Sequence, residues 1–154
     1  MTRDVLISIS GLHTDLIHEP DMDPNEPIEI VTPASYYEKD DKHYIFYDEL
    51  LEGFHGVIRN KIKITGSESL EIQKSGLSNA HMIFEKDKKN LTYYDTPYGQ
   101  MLIGVNTRLM EVNITDANIK IRVDYELDVN HEPLADCSIR MNIFARKNSE
   151  VFDA

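Results

Sequence analysis

Tryptophan is absent from the 154 residues, cysteine occurs once, at Cys137, and glycine only seven times. A lone cysteine cannot close an internal disulfide, and a thiolate zinc site of the usual kind needs more sulfur than one side chain supplies. No apolar run approaches the roughly 18 residues of a membrane-crossing helix. Basic side chains are also scarce: 16 Lys and Arg face 27 Asp and Glu, a formal charge of −11 that raises the work of approaching polyanions. Neither nucleic acid nor a membrane surface is expected as a partner. The apolar stretch from Val5 to Ile9 is short, broken by Ser8, and lacks a small-residue cleavage site, so a cytoplasmic, reducing compartment is expected. The length is that of one ordinary domain, and 1–154 reads as a single unit.

What the chain does contain is alternation. Ile119, Ile121, Val123, Tyr125, Leu127 and Val129 interleave without a slip with Lys120, Arg122, Asp124, Glu126, Asp128 and Asn130, the period of a half-buried strand. Cys137, Ile139, Met141, Ile143 and Ala145 repeat the pattern. Between them lie Asn130, His131, Glu132 and Pro133, read as a long hairpin loop because proline cannot donate to a central ladder. Eight further strands are expected over 4–12, 27–39, 42–51, 55–65, 69–74, 78–86, 91–96 and 100–114. Short connectors such as Asp40-Asp41, Ser75-Gly76 and Thr96-Pro97-Tyr98-Gly99 join them. In 100–114 the apolar register changes from Met101, Ile103 and Val105 to Met110, Val112 and Ile114, which predicts a bulge between Thr107 and Leu109.

No segment carries a helical signature; Leu50, Leu51 and Phe54 are bracketed by Gly53 and Gly56 and read as a corner. Sequential antiparallel strands, each apolar on one face, hide that face by closing on themselves or by packing as a two-sheet sandwich, and long strands joined by short hairpins favour closure. The expected architecture is all-β: a closed antiparallel up-and-down barrel of about 8 to 10 strands. The stretch 12–27 holds five carboxylates, no Lys or Arg, and three prolines, and reads as a solvated loop, while 147–154 reads as a fraying tail.

Several stretches carry a resemblance: Asp4-Val5-Leu6-Ile7-Ser8-Ile9, Tyr44-Ile45-Phe46-Tyr47-Asp48-Glu49 with Glu52-Gly53, the Thr96-Pro97-Tyr98-Gly99 turn, and Val123-Asp124-Tyr125-Glu126-Leu127. In these the whole chain resembles the YwiB-like family of bacterial proteins of unknown function, classed with the calycin or lipocalin-like barrels. The resemblance implies a small closed barrel in a cytoplasmic setting and brings no catalytic residue with it. Gly11 is followed by Leu12 and His13, without the tryptophan that marks secreted lipocalins.

Motifs for chemistry are few. Asp21-x-Asp23-x-Asn25 opens like a calcium loop, but Glu26 stands where glycine is needed and Thr32 where the bidentate glutamate belongs. The six histidines show no ligand spacing, and no nucleophile elbow or phosphate loop is present. Asp48, Glu49 and Glu52 are close enough in sequence to divide acid and base work, though surface acids at a strand end are the commoner explanation. No catalytic residue, metal ligand or cofactor is assigned, and an enzyme is not the leading expectation. Polar groups in inward register are more informative, because a buried polar side chain must find a partner. Tyr47, Glu49, Asn60 and Tyr125 are the expected lining of a ligand site. Its expected occupant is a small apolar molecule, neutral or weakly cationic. The competing expectation is a filled barrel that meets a protein partner through the 12–27 loop or through exposed pairs Tyr36-Tyr37 and Tyr93-Tyr94; a homodimer suits a barrel of this size, with no sequence feature that fixes it.

Overall fold

In the computed structural model, residues 3–11, 29–50, 53, 55–115 and 117–145 are described. Ten strands follow one another: β1 (Arg3–Ser10), β2 (Glu29–Lys39), β3 (Lys42–Leu50), β4 (Val57–Thr65), β5 (Ser69–Gly76), β6 (Ala80–Glu85), β7 (Lys89–Thr96), β8 (Gly99–Ile114), β9 (Asn118–Val129) and β10 (Glu132–Ala145). Every ladder is antiparallel, and consecutive strands pair throughout except β6 and β7, which share no continuous ladder. The first and last strands also pair, Val5 opposite Ala145 through Ser10 opposite Arg140. The result is an up-and-down barrel, as the alternation predicts. No helix is present among the described residues, so none there is long and apolar enough to cross a membrane.

The barrel is nearly closed. Between β6 and β7 the backbone ladder reduces to one bridge, Asn79 with Asp95, whose two N–H···O bonds measure 2.9 and 2.8 Å. A side-chain bond from Asn90 Nδ2 to the Ile83 carbonyl, at 3.1 Å, spans the middle of this seam. A second break lies between β2 and β3, which pair only from Ser35 opposite Phe46 to Lys39 opposite Lys42. Residues 29–34 of β2 and 47–50 of β3 continue without pairing to each other, and Pro33, which has no amide hydrogen to give, stands in the unpaired half.

Inward positions follow the period of two. Val5, Ile7, Ile9, Ile45, Ile62, Ile64, Leu70, Ile72, Phe84, Ile103, Val123, Ile139 and Ile143 are among the buried side chains of one continuous core. Each such side chain contributes about 2 kcal/mol by leaving water, and no strand could retain that gain alone, since its ladder partners complete the interior. The register change in β8 is a bulge between Thr107 and Leu109, where the sequence predicts it.

Two expectations need correction. The segment after Asn130 is a tight turn rather than a long loop. Asn130 and His131 both take positive φ, the geometry of a two-residue hairpin, and β10 starts at Glu132. Pro133 is accommodated because it follows the hydrogen-bonded pair Val129–Glu132 that closes the turn, so its nitrogen faces away from β9, on a side where β10 pairs with β1 only from Arg140 onward. The tyrosine pairs are not exposed pairs. Consecutive strand residues face opposite ways, so Tyr36 and Tyr94 are buried, while Tyr93 is exposed and Tyr37 stacks on Tyr44 and Phe46 outside. The 12–27 loop, the 147–154 tail and the Asp21-x-Asp23-x-Asn25 run lie outside the described residues.

Candidate functional site

Asn60 stands directly opposite Tyr47 on β3 and Lys74 on β5, and Lys74 is paired in turn with Ala80 on β6. This row crosses four strands on the inner wall, near the end of the barrel where β3 stops and β4 begins. Glu49 lies two residues beyond Tyr47 on the same face. Among these residues the interior turns polar: Lys74 Nζ donates to Glu49 Oε1 at 2.6 Å and to Asn60 Oδ1 at 2.7 Å, and Asn60 Nδ2 donates to Glu49 Oε1 at 2.9 Å. Lys74 is only 2% exposed, an extreme value for lysine. Both polar ends of Asn60 are used within the triad, whereas Glu49 Oε2 takes no hydrogen bond from a described residue.

Burial pushes the Lys74 ammonium down from its ordinary value, while the Glu49 charge and hydrogen bond pull the other way. Tyr47 is pushed up, first by burial, then by the Glu49 charge and by Tyr94 on β7. Glu49 retains 27% of its side-chain exposure against none for Lys74, so the carboxylate is the member of the pair that meets solvent. The cluster therefore presents an acceptor, not a cation, to whatever enters. Beside it the β2–β3 break forms a groove of about 470 Å³, whose walls include Thr32, Pro33, Ala34, Phe46 and Tyr47.

The structure thus gathers three of the four residues singled out from the sequence, Tyr47, Glu49 and Asn60. Tyr125, on β9, packs edge-on against Phe84 with ring centroids 5.1 Å apart. Its hydroxyl also bonds the Cys137 thiol, whose pKa burial nevertheless raises. Lys74 and Tyr94 were not anticipated, although the signal exists. Lys74 shares the parity of Leu70 and Ile72, and Tyr94 the parity that its strand turns inward; charge and hydroxyl mask that parity in a hydrophobicity reading. Asp48 and Glu49 point to opposite sides of the wall, as consecutive strand residues must, and Glu52 lies outside the described residues. No three His, Cys, Asp or Glu side chains among the described residues converge on a common point that could hold a metal ion. A second buried polar contact, Tyr36 Oη to His43 Nδ1 at 2.7 Å, lies toward the Asp40-Asp41 turn.

Residues 12–141 match a family described as "Domain of unknown function (DUF1934)". Among solved structures, the crystal structure of ywiB protein from Bacillus subtilis matches with a TM-score of 0.72. The match covers 95% of this chain and 94% of that one at 16% identity, a likeness of fold. No curated protein matches the chain.

Proposed function

The chain belongs to the DUF1934 family, and from that premise we propose that it is a calycin-like, cytoplasmic barrel binding a small apolar molecule whose neutral or weakly cationic head reaches Glu49. The observation that carries this reading is the Lys74–Glu49–Asn60 triad on the inner wall. A barrel serving only as a scaffold gains nothing from it, because a buried ion pair is at best about as stable as well-packed apolar side chains of the same volume. Convergent polar groups in an apolar setting beside a groove are the usual composition of a small-ligand site. The partly exposed carboxylate with its Oε2 left over favours a donor head group, and the net charge of −11 disfavours an anion here, where no described Arg or Lys lines the groove. The lone cysteine, buried as Cys137, suits a reducing compartment.

Titration of the ¹⁵N-labelled protein with decylamine and with decanoate tests the reading. Decylamine is expected to shift the amides of Tyr47, Glu49, Asn60 and Tyr94 saturably, and Glu49→Gln to abolish the response. Equal binding of decanoate, or no response at those amides, would overturn it. A second reading, a filled barrel that docks a protein, is favoured by Val31 and Leu50, 56% and 81% exposed, which flank the β2–β3 break. Crosslinking that is lost in Leu50→Ser while amine binding is absent would support that reading instead.

A further inference from the structure

On the outside of the barrel, away from the triad, the strands β1, β10, β9 and β8 curve around a groove of about 420 Å³, a volume within the range of small-ligand sites. Its lining is unusual for this chain. Arg140 stands directly opposite Arg122 across the β10–β9 ladder, and Lys120 lies two residues from Arg122 on the same face. Like charges directly opposite on neighbouring strands destabilise a sheet, and an acidic protein has carboxylates to spare for that position. Arg122 is answered twice: it bonds Asp124 through Nε at 3.3 Å and Nη2 at 3.0 Å, and Glu111 stands directly opposite it on β8. Arg140 and Lys120 form no ion pair with a described residue, although the Arg140 charge is felt at Asp124. Glu111 is the one carboxylate in the lining. The remaining polar lining includes Ser10, Asn113 and Asn142, whose buried Oδ1 takes no hydrogen bond from a described residue.

We propose that this groove is an anion site for the phosphoryl group of a small phosphate monoester, held between Arg140, Lys120 and the outer edge of Arg122. A dianion there gives Arg140 and Lys120 the charge-assisted hydrogen bonds that no described carboxylate supplies, and arginine forks suit phosphate oxygens. The site is independent of the Glu49 triad, which lies on the inner wall.

The test titrates the full chain with inorganic phosphate, with glycerol 3-phosphate and with a ten-nucleotide single-stranded oligothymidylate, read by amide shifts. Both phosphates should saturate one site, shifting Lys120, Arg122 and Arg140. The double variant Arg140→Gln, Lys120→Gln should bind at least about tenfold more weakly while melting no lower than the parent without ligand. The control pair Arg59→Gln, Lys63→Gln, on the outer face of β4, should bind as the parent does. Unsaturable shifts, equal loss in the control pair, a folded double variant with parental affinity, or an oligonucleotide that outcompetes both phosphates would each overturn the proposal.

Discussion

Replacing Glu49 by glutamine preserves the shape of the side chain and removes its charge, which leaves the Lys74 ammonium inside the barrel with only neutral acceptors. Removing one partner of a buried ion pair costs about 3 to 5 kcal/mol. The partial exposure of Glu49, and the ability of the new amide oxygen to accept the same 2.6 Å bond, put the expectation at the low end, about 3 kcal/mol. A ceiling comes from the alternative of discharging the lysine. Taking an ordinary lysine of pKa 10.5 to its neutral form at pH 7 costs about 5 kcal/mol. Lys74→Met removes the desolvated charge and leaves Glu49 with Asn60 and water, so its cost should stay within about 1 kcal/mol, and the double variant should recover most of the loss. Urea denaturation of the four proteins gives the cycle. The pH dependence has a definite sign. Because the folded protein holds the Lys74 proton less tightly than the unfolded chain does, the unfolded state binds more protons between the lowered folded value and 10.5, and stability rises with pH across that window. The deficit of Glu49→Gln should therefore shrink as pH approaches 10. A deficit under about 0.5 kcal/mol at pH 7, or one that does not change with pH, would refute the claim that a buried charge is being compensated.

Tyr47 and Tyr36 have raised values, so the stability they contribute is present below pH 10 and is lost as pH rises above it; Tyr47→Phe should flatten that alkaline decline in denaturation midpoints. Gly76 has a φ of +105°, and a Cβ there would run into the Val57 carbonyl oxygen; Gly76→Ala should cost about 1 to 3 kcal/mol, and an unchanged urea midpoint would refute the strain argument. The Cys137 thiol, raised by burial, should react with a disulfide reagent only as the protein unfolds. Rapid stoichiometric labelling of the native protein would contradict that burial.

The fold was legible because its signal is redundant. One misplaced residue in 119–130 would have spoiled a pattern that six apolar and six polar positions share, and the bulge at Thr107 and Leu109 announces itself as a change of parity. The turn at Asn130 and His131 was harder: the proline two residues on reads as a ladder breaker, and only its place beside the closing pair Val129–Glu132 reveals how it fits. At the site, Tyr47, Glu49 and Asn60 were found by asking which polar groups share an apolar face. Lys74 escaped because a terminal lysine on a short strand ordinarily reaches water, and only its cross-strand partner, Asn60, fixes it inside. The breaks in the wall could not be read, since pairing between β2 and β3 depends on how two curved strands diverge, not on either alone.

The near-ring order of the strands gives the β6–β7 seam a topological meaning. The start of β1 lies beside the end of β10, with Val5 opposite Ala145, so a linker between those ends and a new opening within 86–88 would yield a circular permutant that keeps every continuous ladder. Such a chain would begin at β7 and finish at β6, and its first and last strands would meet at the Asn79–Asp95 bridge. The natural sequence instead joins the strands farthest apart along the chain through six consecutive pairs of β1 with β10, and leaves the loosest join between strands that a three-residue turn already tethers.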